Sequence, residues 1–382
     1  MIMTRDSLIQ HRTGSPLLAL SICILLLGAC SSGGGGDDAG SSAAADRRGF
    51  DTSSCTIDAS LLFDGGPGRD GIPAILNPEY ALLDEILASN FPYQPEDLVL
   101  VVELNGERRA YPERILWQHE IINDVLGGEN IVVSYCPLTG SAIVFDRAAN
   151  EDFRVSGLLF ESNLVMYDSA TDSLWPQMDF AASCGSRRGQ SLNMKKVQEM
   201  TFARLQEFYP NIETVIDASR TAFGYTNYPY GTYDQLANET LLFEVSELDT
   251  TYPIKSLVAM VPGANNWRGY PHQELAQVEV ANDSFDSREL VALYDDAGRF
   301  AAIYNRTLDG QTLTFSSVAN DIEGQVGSFL MRDTETGSTW NQLGQAVAGP
   351  MAGMQLQDEL NMNAMWFSYR VSLPNASTYT AN

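Results

Sequence analysis

Two side chains able to act as nucleophile or ligand, His119 and Cys136, share the stretch RAYPERILWQHEIINDVLGGENIVVSYCPLTG, residues 109–140. A cysteine beside a histidine can form an activated thiolate. Joined by Met166 or Met178, the same pair would offer the soft sulfur and imidazole ligands that copper favours. A bland alternative stands next to both. His119 shares an apolar helical face with Ile115 and Ile122, spaced by four and three, and a histidine there is often a core residue. Residue type and spacing leave the three readings open.

The chain supplies its own comparison. Arg109–Asp124 (RAYPERILWQHEIIND) aligns without a gap on Arg268–Asp283 (RGYPHQELAQVEVAND) at an offset of 159, with eight of sixteen positions identical. Chance would match about one. At an offset of 165, Met166–Gln177 meets Met331–Gln342, matching Asp168/Asp333, Thr171/Thr336, Ser173/Ser338, Trp175/Trp340 and Gln177/Gln342. A period this long exceeds the roughly 20–50 residues of solenoid repeats, so it predicts a duplicated domain. What both copies keep reads as scaffold: Asn123 and Asp124 as turn and cap residues, Trp175 as core. His119 and Cys136 are different, because their counterparts are Val278 and Asp295. A chemical site, on this reading, belongs to the first copy.

The elements that would position these residues follow from local pattern. Val99–Glu103 and Ile131–Tyr135 are β-branched runs between turn residues, the mark of strands. Pro112 suits the first position of a helix carrying Ile115, His119 and Ile122, closed by Gly127-Gly128. Pro137–Gly140 then predicts a turn with Cys136 at the end of its first strand. Thr201–Phe208 reads as a helix stopped by Pro210. The predicted class is α+β, β-rich, in two tandem homologous units at 60–220 and 250–382 joined by a tyrosine-rich linker, 221–249. YTNYPYGTY (Tyr225–Tyr233) in that linker is expected to pack the units together.

The chain opens with Arg5, Arg12, an apolar run Leu17–Leu27, and Leu27-Gly28-Ala29-Cys30. The pattern is that of a secretory leader over 1–29. Its end resembles a bacterial lipobox, which implies a lipid on Cys30, and by the same resemblance Ser31-Ser32 points to the outer membrane. Residues 30–49 form a Gly/Ser-rich tether. The expected location is the bacterial cell envelope, periplasm-facing or surface-exposed, with the lipid as membrane partner. Against 23 basic residues stand 49 acidic ones, a net charge of −26. That field repels nucleic acid, so none is expected as a partner. With Cys23 in the leader and Cys30 lipidated, Cys55, Cys136 and Cys184 remain. Three thiols allow one disulfide at most. Cys55–Cys184 is the expected pair because Cys136 has the more distinctive surroundings, although sequence does not fix the pairing.

Several motifs are dismissed. Gly66–Gly71 matches GxGxxG but runs into Ile72-Pro73 rather than a helix, and His119-Glu120 begins an HExxH whose last position is Asn123. Neither a GxSxG elbow nor a Walker A loop occurs.

GGPGRDGIPAI (Gly65–Ile75), the RAYP…HE..ND block, VSYCPLTG (Val133–Gly140), VSGLL (Val155–Leu159), NLVMYDSATDSLWPQ (Asn163–Gln177) and YPYGTY occur in that order. Together they resemble the bacterial and archaeal family catalogued as domain of unknown function 3179, over roughly residues 60–380. The resemblance implies no particular activity. Family members often read CPLC where this chain has Cys136-Pro137-Leu138-Thr139, which weakens any two-thiol redox or metal role. The expectation is an uncharacterised lipid-anchored envelope protein acting as a binding or scaffold module. The alternative is a thiol-dependent enzyme or copper-like metal site centred on His119 and Cys136. No cofactor, substrate or protein partner is specified.

Overall fold

The β-branched runs become strands, as pleated and half-buried surfaces favour. The computed structural model describes residues 49–89, 93–216 and 225–381. It is 41% strand and 12% helix, which makes the fold α+β and β-rich. The leader, Cys30, nearly all of the tether and the 221–224 start of the linker lie outside the described residues. Among the described residues, no helix is long and apolar enough to cross a membrane.

The same succession of elements occurs twice. Leu98–Leu104 pairs antiparallel with Glu107–Pro112, flanked by Gln198–Thr201 and by the parallel strand Glu213–Ile216, with Glu213 opposite Arg109. Further along, Leu257–Pro262 pairs with Trp267–Pro271, flanked by Met362–Met365 and by the parallel Ser377–Thr378, with Ser377 opposite Arg268. Each hairpin leads into a seven-residue helix, Glu113–His119 or His272–Val278. Each helix leads into a three-stranded meander: Ile121–Leu126, Glu129–Cys136 and Ser141–Asp146, or Val280–Phe285, Arg288–Asp295 and Phe300–Asn305. The paired aspartates do identical work. Asp168 accepts from Thr171 N at 2.6 Å and Trp175 Nε1 at 2.9 Å, and Asp333 accepts from Thr336 N and Trp340 Nε1 at the same distances.

Local expectations around the helix need correction. The helix stops at His119 because Glu120 takes a left-handed φ of 56°, its N–H capping Leu116 O. Ile122 therefore sits in a strand, not on the helical face. Asn123 and Asp124 also lie in that strand rather than in a turn. Asn123 Oδ1 accepts from Phe153 N at 2.8 Å, and its Nδ2 donates to Phe153 O at 2.9 Å. Asp124 pairs with Arg109 at 2.8 Å and accepts from Tyr111 Oη at 2.8 Å. These polar groups stay buried because each has partners, as burial requires. Gly127-Gly128 make the hairpin turn that follows.

The two halves do not stand apart. The described residues all fall in one compact unit. One apolar cluster joins Val99, Met200 and Leu205 to Val291, Phe300 and Trp340. The halves also exchange backbone bonds reciprocally: Thr201 N donates to Gly298 O at 2.8 Å, and Met365 N donates to Thr139 O at 2.7 Å. The tyrosine-rich stretch packs on the first half, with Tyr228 Oη donating to Pro137 O at 2.8 Å and Tyr233 Oη to Leu138 O at 2.9 Å. A disulfide joins Cys55 to Cys184, and Cys136 is a free, buried thiol.

Candidate functional site

His119 ends its helix with both ring nitrogens engaged. Nδ1 meets Pro73 O at 2.7 Å, and Nε2 meets the Tyr225 hydroxyl at 2.9 Å. Cys136 closes the strand Glu129–Cys136 and is buried. Burial, and then the charge of Glu120, push its thiol up to about 11. Thiolate chemistry needs the reverse shift. Among the described residues no hydrogen bond links the two side chains, and no group of three His, Cys, Asp or Glu has metal-site geometry. Met166 is a fully buried core residue on a neighbouring strand. In the described structure His119 is held by Pro73 O and the Tyr225 hydroxyl, and Cys136 is a buried thiol.

A different set of side chains converges on a cleft of about 610 Å³ between the two halves. That volume is within the range of small-molecule pockets. The duplicated pattern builds its walls from equivalent positions. Pro112 and Pro271 enter the two helices with nearly the same backbone angles, and they place Glu113 and His272 at the cleft. One edge strand supplies Glu199, opposite Leu100, and the matched edge strand places Asn363, opposite Ala259, against the His272 ring. Meander ends supply Tyr135 and Tyr294, and the turn after Tyr294 supplies Arg299. Lys255 comes from the segment before Leu257–Pro262, at the position equivalent to Glu96.

Burial sets the electrostatics. Glu113 is 2% exposed, and its Oε1 has no hydrogen-bond partner among the described residues. Desolvation and the nearby Glu199 charge hold its carboxyl well above the usual range, against the pull of Arg299 and a Tyr135 hydrogen bond. Glu199, also with an unpartnered oxygen, is raised by burial to about 7 while Arg299 and a hydrogen bond from Asn363 oppose the rise. His272 is pushed down to about 3 by burial, so its ring is neutral near pH 7. Its Nε2 approaches Asn363 Oδ1 at 3.3 Å. Lys255 is 3% exposed, and its Nζ has no hydrogen-bond acceptor among the described residues. Instead it lies 2.9 Å from the Tyr233 ring centroid and 5.4 Å from that of Phe367. Burial lowers it to about 7, against the charge of Asp234. Groups poised near neutrality in a cleft are the pattern of functional sites.

The sequence comparison was able to find these residues. At the 159 offset, Glu113 faces His272, Glu96 faces Lys255 and Gly140 faces Arg299. Neither thiol nor imidazole marks the first-half members of these pairs, Glu96, Glu113 and Gly140. Burial, which turns an ordinary Glu or Lys into a perturbed one, has no local sequence signature.

Comparison with curated proteins finds no match, and comparison with solved structures finds none. Residues 69–376 match the family described as a protein of unknown function (DUF3179). That span includes both hairpins, both meanders and every charged group of the cleft interior, so the chain belongs to the DUF3179 family.

Proposed function

We propose that this protein is a lipid-anchored binding module of the bacterial cell envelope, and that its ligand site is the cleft between the halves. The observation that carries the reading is a set of three polar atoms on one cleft, Glu113 Oε1, Glu199 Oε2 and Lys255 Nζ. All three are buried without a hydrogen-bond partner among the described residues. Leaving such groups unpaired costs about 1–3 kcal/mol each, more when charged. A site kept at that cost is readily explained by a ligand or ordered water that completes it. The matched element order and the reciprocal backbone bonds support a duplication origin for the two walls. The anchor rests on Leu27–Cys30.

Thermal unfolding of the mature chain against a chemically diverse small-molecule panel tests the cleft. Stabilising compounds should lose their effect in Ala276→Trp, which fills the cleft from the exposed face of the helix His272–Val278. Compounds that stabilise both proteins equally would place the site elsewhere. For the anchor, Cys30→Ser should move the protein from the membrane to the soluble fraction, and an unchanged distribution would refute lipidation.

A further inference from the structure

The cleft contains two cations without an ion-pair partner among the described residues, Lys255 buried in its wall and Arg299 exposed at its mouth. The carboxyls nearby do not neutralise them. Asp97 is already paired with Arg114. The unpartnered oxygens of Glu113 and Glu199 belong to buried carboxyls that desolvation holds above the usual range, Glu113 also through the charge of Glu199, and burial of that kind favours the protonated, neutral form. Asp234 and Asp296 are exposed at the rim, where water screens them. Apolar surface from Leu98, Trp117, Leu257 and Met365 fills much of the remaining wall.

On the reading of the cleft as a ligand site, we propose that its occupant is a small organic monocarboxylate with an apolar body, its carboxylate held by Arg299 and Lys255. A guanidinium fork matches a carboxylate in two parallel hydrogen bonds. The ammonium of Lys255, which has ring faces but no acceptor among the described residues, gains one. A single negative charge suits the molecule better than several, because a chain of net charge −26 repels polyanions. The apolar wall takes the rest of the ligand.

Proton linkage gives this assignment a sign. The titratable groups around Lys255 and Arg299 are Glu96, Asp97 (paired with Arg114), Glu113, Tyr135 and Glu199 from the first half, Tyr233 and Asp234 from the linker, and His272, Tyr294 and Asp296 from the second. Of these, Glu199, like Lys255, is poised near 7. As pH falls from 8 to 6, Glu199 loses a negative charge and Lys255 gains a positive one, while His272 stays neutral. Both changes favour an anion.

The test uses three isosteres, 3-phenylpropionate, its amide and 3-phenylpropylamine, titrated calorimetrically into the mature chain at pH 6 and pH 8. The acid should bind most tightly, weaken about tenfold or more from pH 6 to pH 8, and take up protons at pH 7 in buffers of different ionisation enthalpy. Lys255→Met and Arg299→Met should each weaken it about tenfold or more. Circular dichroism and urea midpoints check that both variants are folded. Equal binding of acid and amide, tighter binding of the amine, proton release, an unaffected Lys255→Met, or no binding of the acid at millimolar concentration overturns the assignment. If the amide or amine binds and Ala276→Trp removes that binding, the cleft reading stands and only the carboxylate falls. Binding that survives Ala276→Trp refutes both.

Discussion

Replacing Lys255 with methionine should make the unliganded protein more stable. Methionine keeps an unbranched side chain of similar reach and carries no charge to desolvate. Burial lowers the amine from its ordinary 10.5 to about 7. Each pH unit of displacement is worth about 1.4 kcal/mol, so the charged form costs roughly 4–5 kcal/mol when buried. The Tyr233 ring, 2.9 Å from Nζ, returns part of this, up to about 2 kcal/mol for a desolvated cation. A net cost of roughly 3 kcal/mol remains for the wild type at pH 6. Between about 7 and 10.5 the unfolded chain holds a proton that the folded chain has released, so wild-type stability rises with pH across that window. The penalty is complete below 7 and disappears towards 10.5. Urea unfolding at pH 6, 7.5 and 9 should therefore show Lys255→Met ahead by roughly 3 kcal/mol at pH 6, with the advantage shrinking as pH rises. A variant less stable than wild type at pH 6, or an advantage independent of pH, would show that Lys255 is an ordinary solvated lysine.

Glu199→Gln should act with the opposite sign. The folded chain holds the Glu199 proton up to about 7 while the unfolded chain releases it near 4.5. Wild-type stability from this group is thus present below 4.5 and lost as pH rises through 7. Urea midpoints at pH 5 and pH 8 should differ less in the variant by roughly 2–3 kcal/mol of stability, and an unchanged difference would refute the shift. Cys136 should react with a disulfide reagent at pH 8 at least about a hundredfold more slowly in the native protein than in guanidinium, because its thiol is buried and raised to about 11. Rapid native labelling would restore the thiol as a chemical candidate.

Much of the framework was legible because it rests on local pattern. The β-branched runs at 99–103 and 131–135 became strands two and three residues longer, and Thr201–Phe208 became a helix over Phe202–Phe208 capped by the Thr201 side chain. The repeated Asp-Thr-Ser-Trp-Gln spacing marked a buried indole–carboxylate bond in each half. Asn123 and Asp124 were misplaced because their commonest local roles, turn and cap, compete with a tertiary one that sequence does not display. Asp124 is fixed by Arg109, fifteen residues earlier on a strand of a different sheet. The end of the helix at His119 was missed because a non-glycine residue, Glu120, takes the left-handed cap usually given to glycine.

The asymmetry of the cleft has a physical reason that the sequence comparison alone did not weigh. Most buried positions tolerate duplication, because an apolar residue meeting its equivalent simply packs. Ionisable residues near the boundary of two equivalent halves behave differently. A glutamate at each of the positions of Glu113, His272, Glu199 and Asn363 would bury four carboxyls around one cleft, and each ionised pair would repel. Neutral His272 and Asn363 remove two of those charges. They also form a relay in which Nε2 of the imidazole donates to Asn363 Oδ1, and the amide in turn supports Glu199. Arg299, standing where the first half has Gly140, adds the single positive charge whose field reaches both remaining carboxyls. At these matched positions the two halves differ in charge, and the differences convert a repulsive cluster into a site with defined charge. His119 and Cys136 differ between the matched stretches too, but both belong to the first half and neither lines the cleft. Difference between copies marks a candidate site only when the differing residues face a common space.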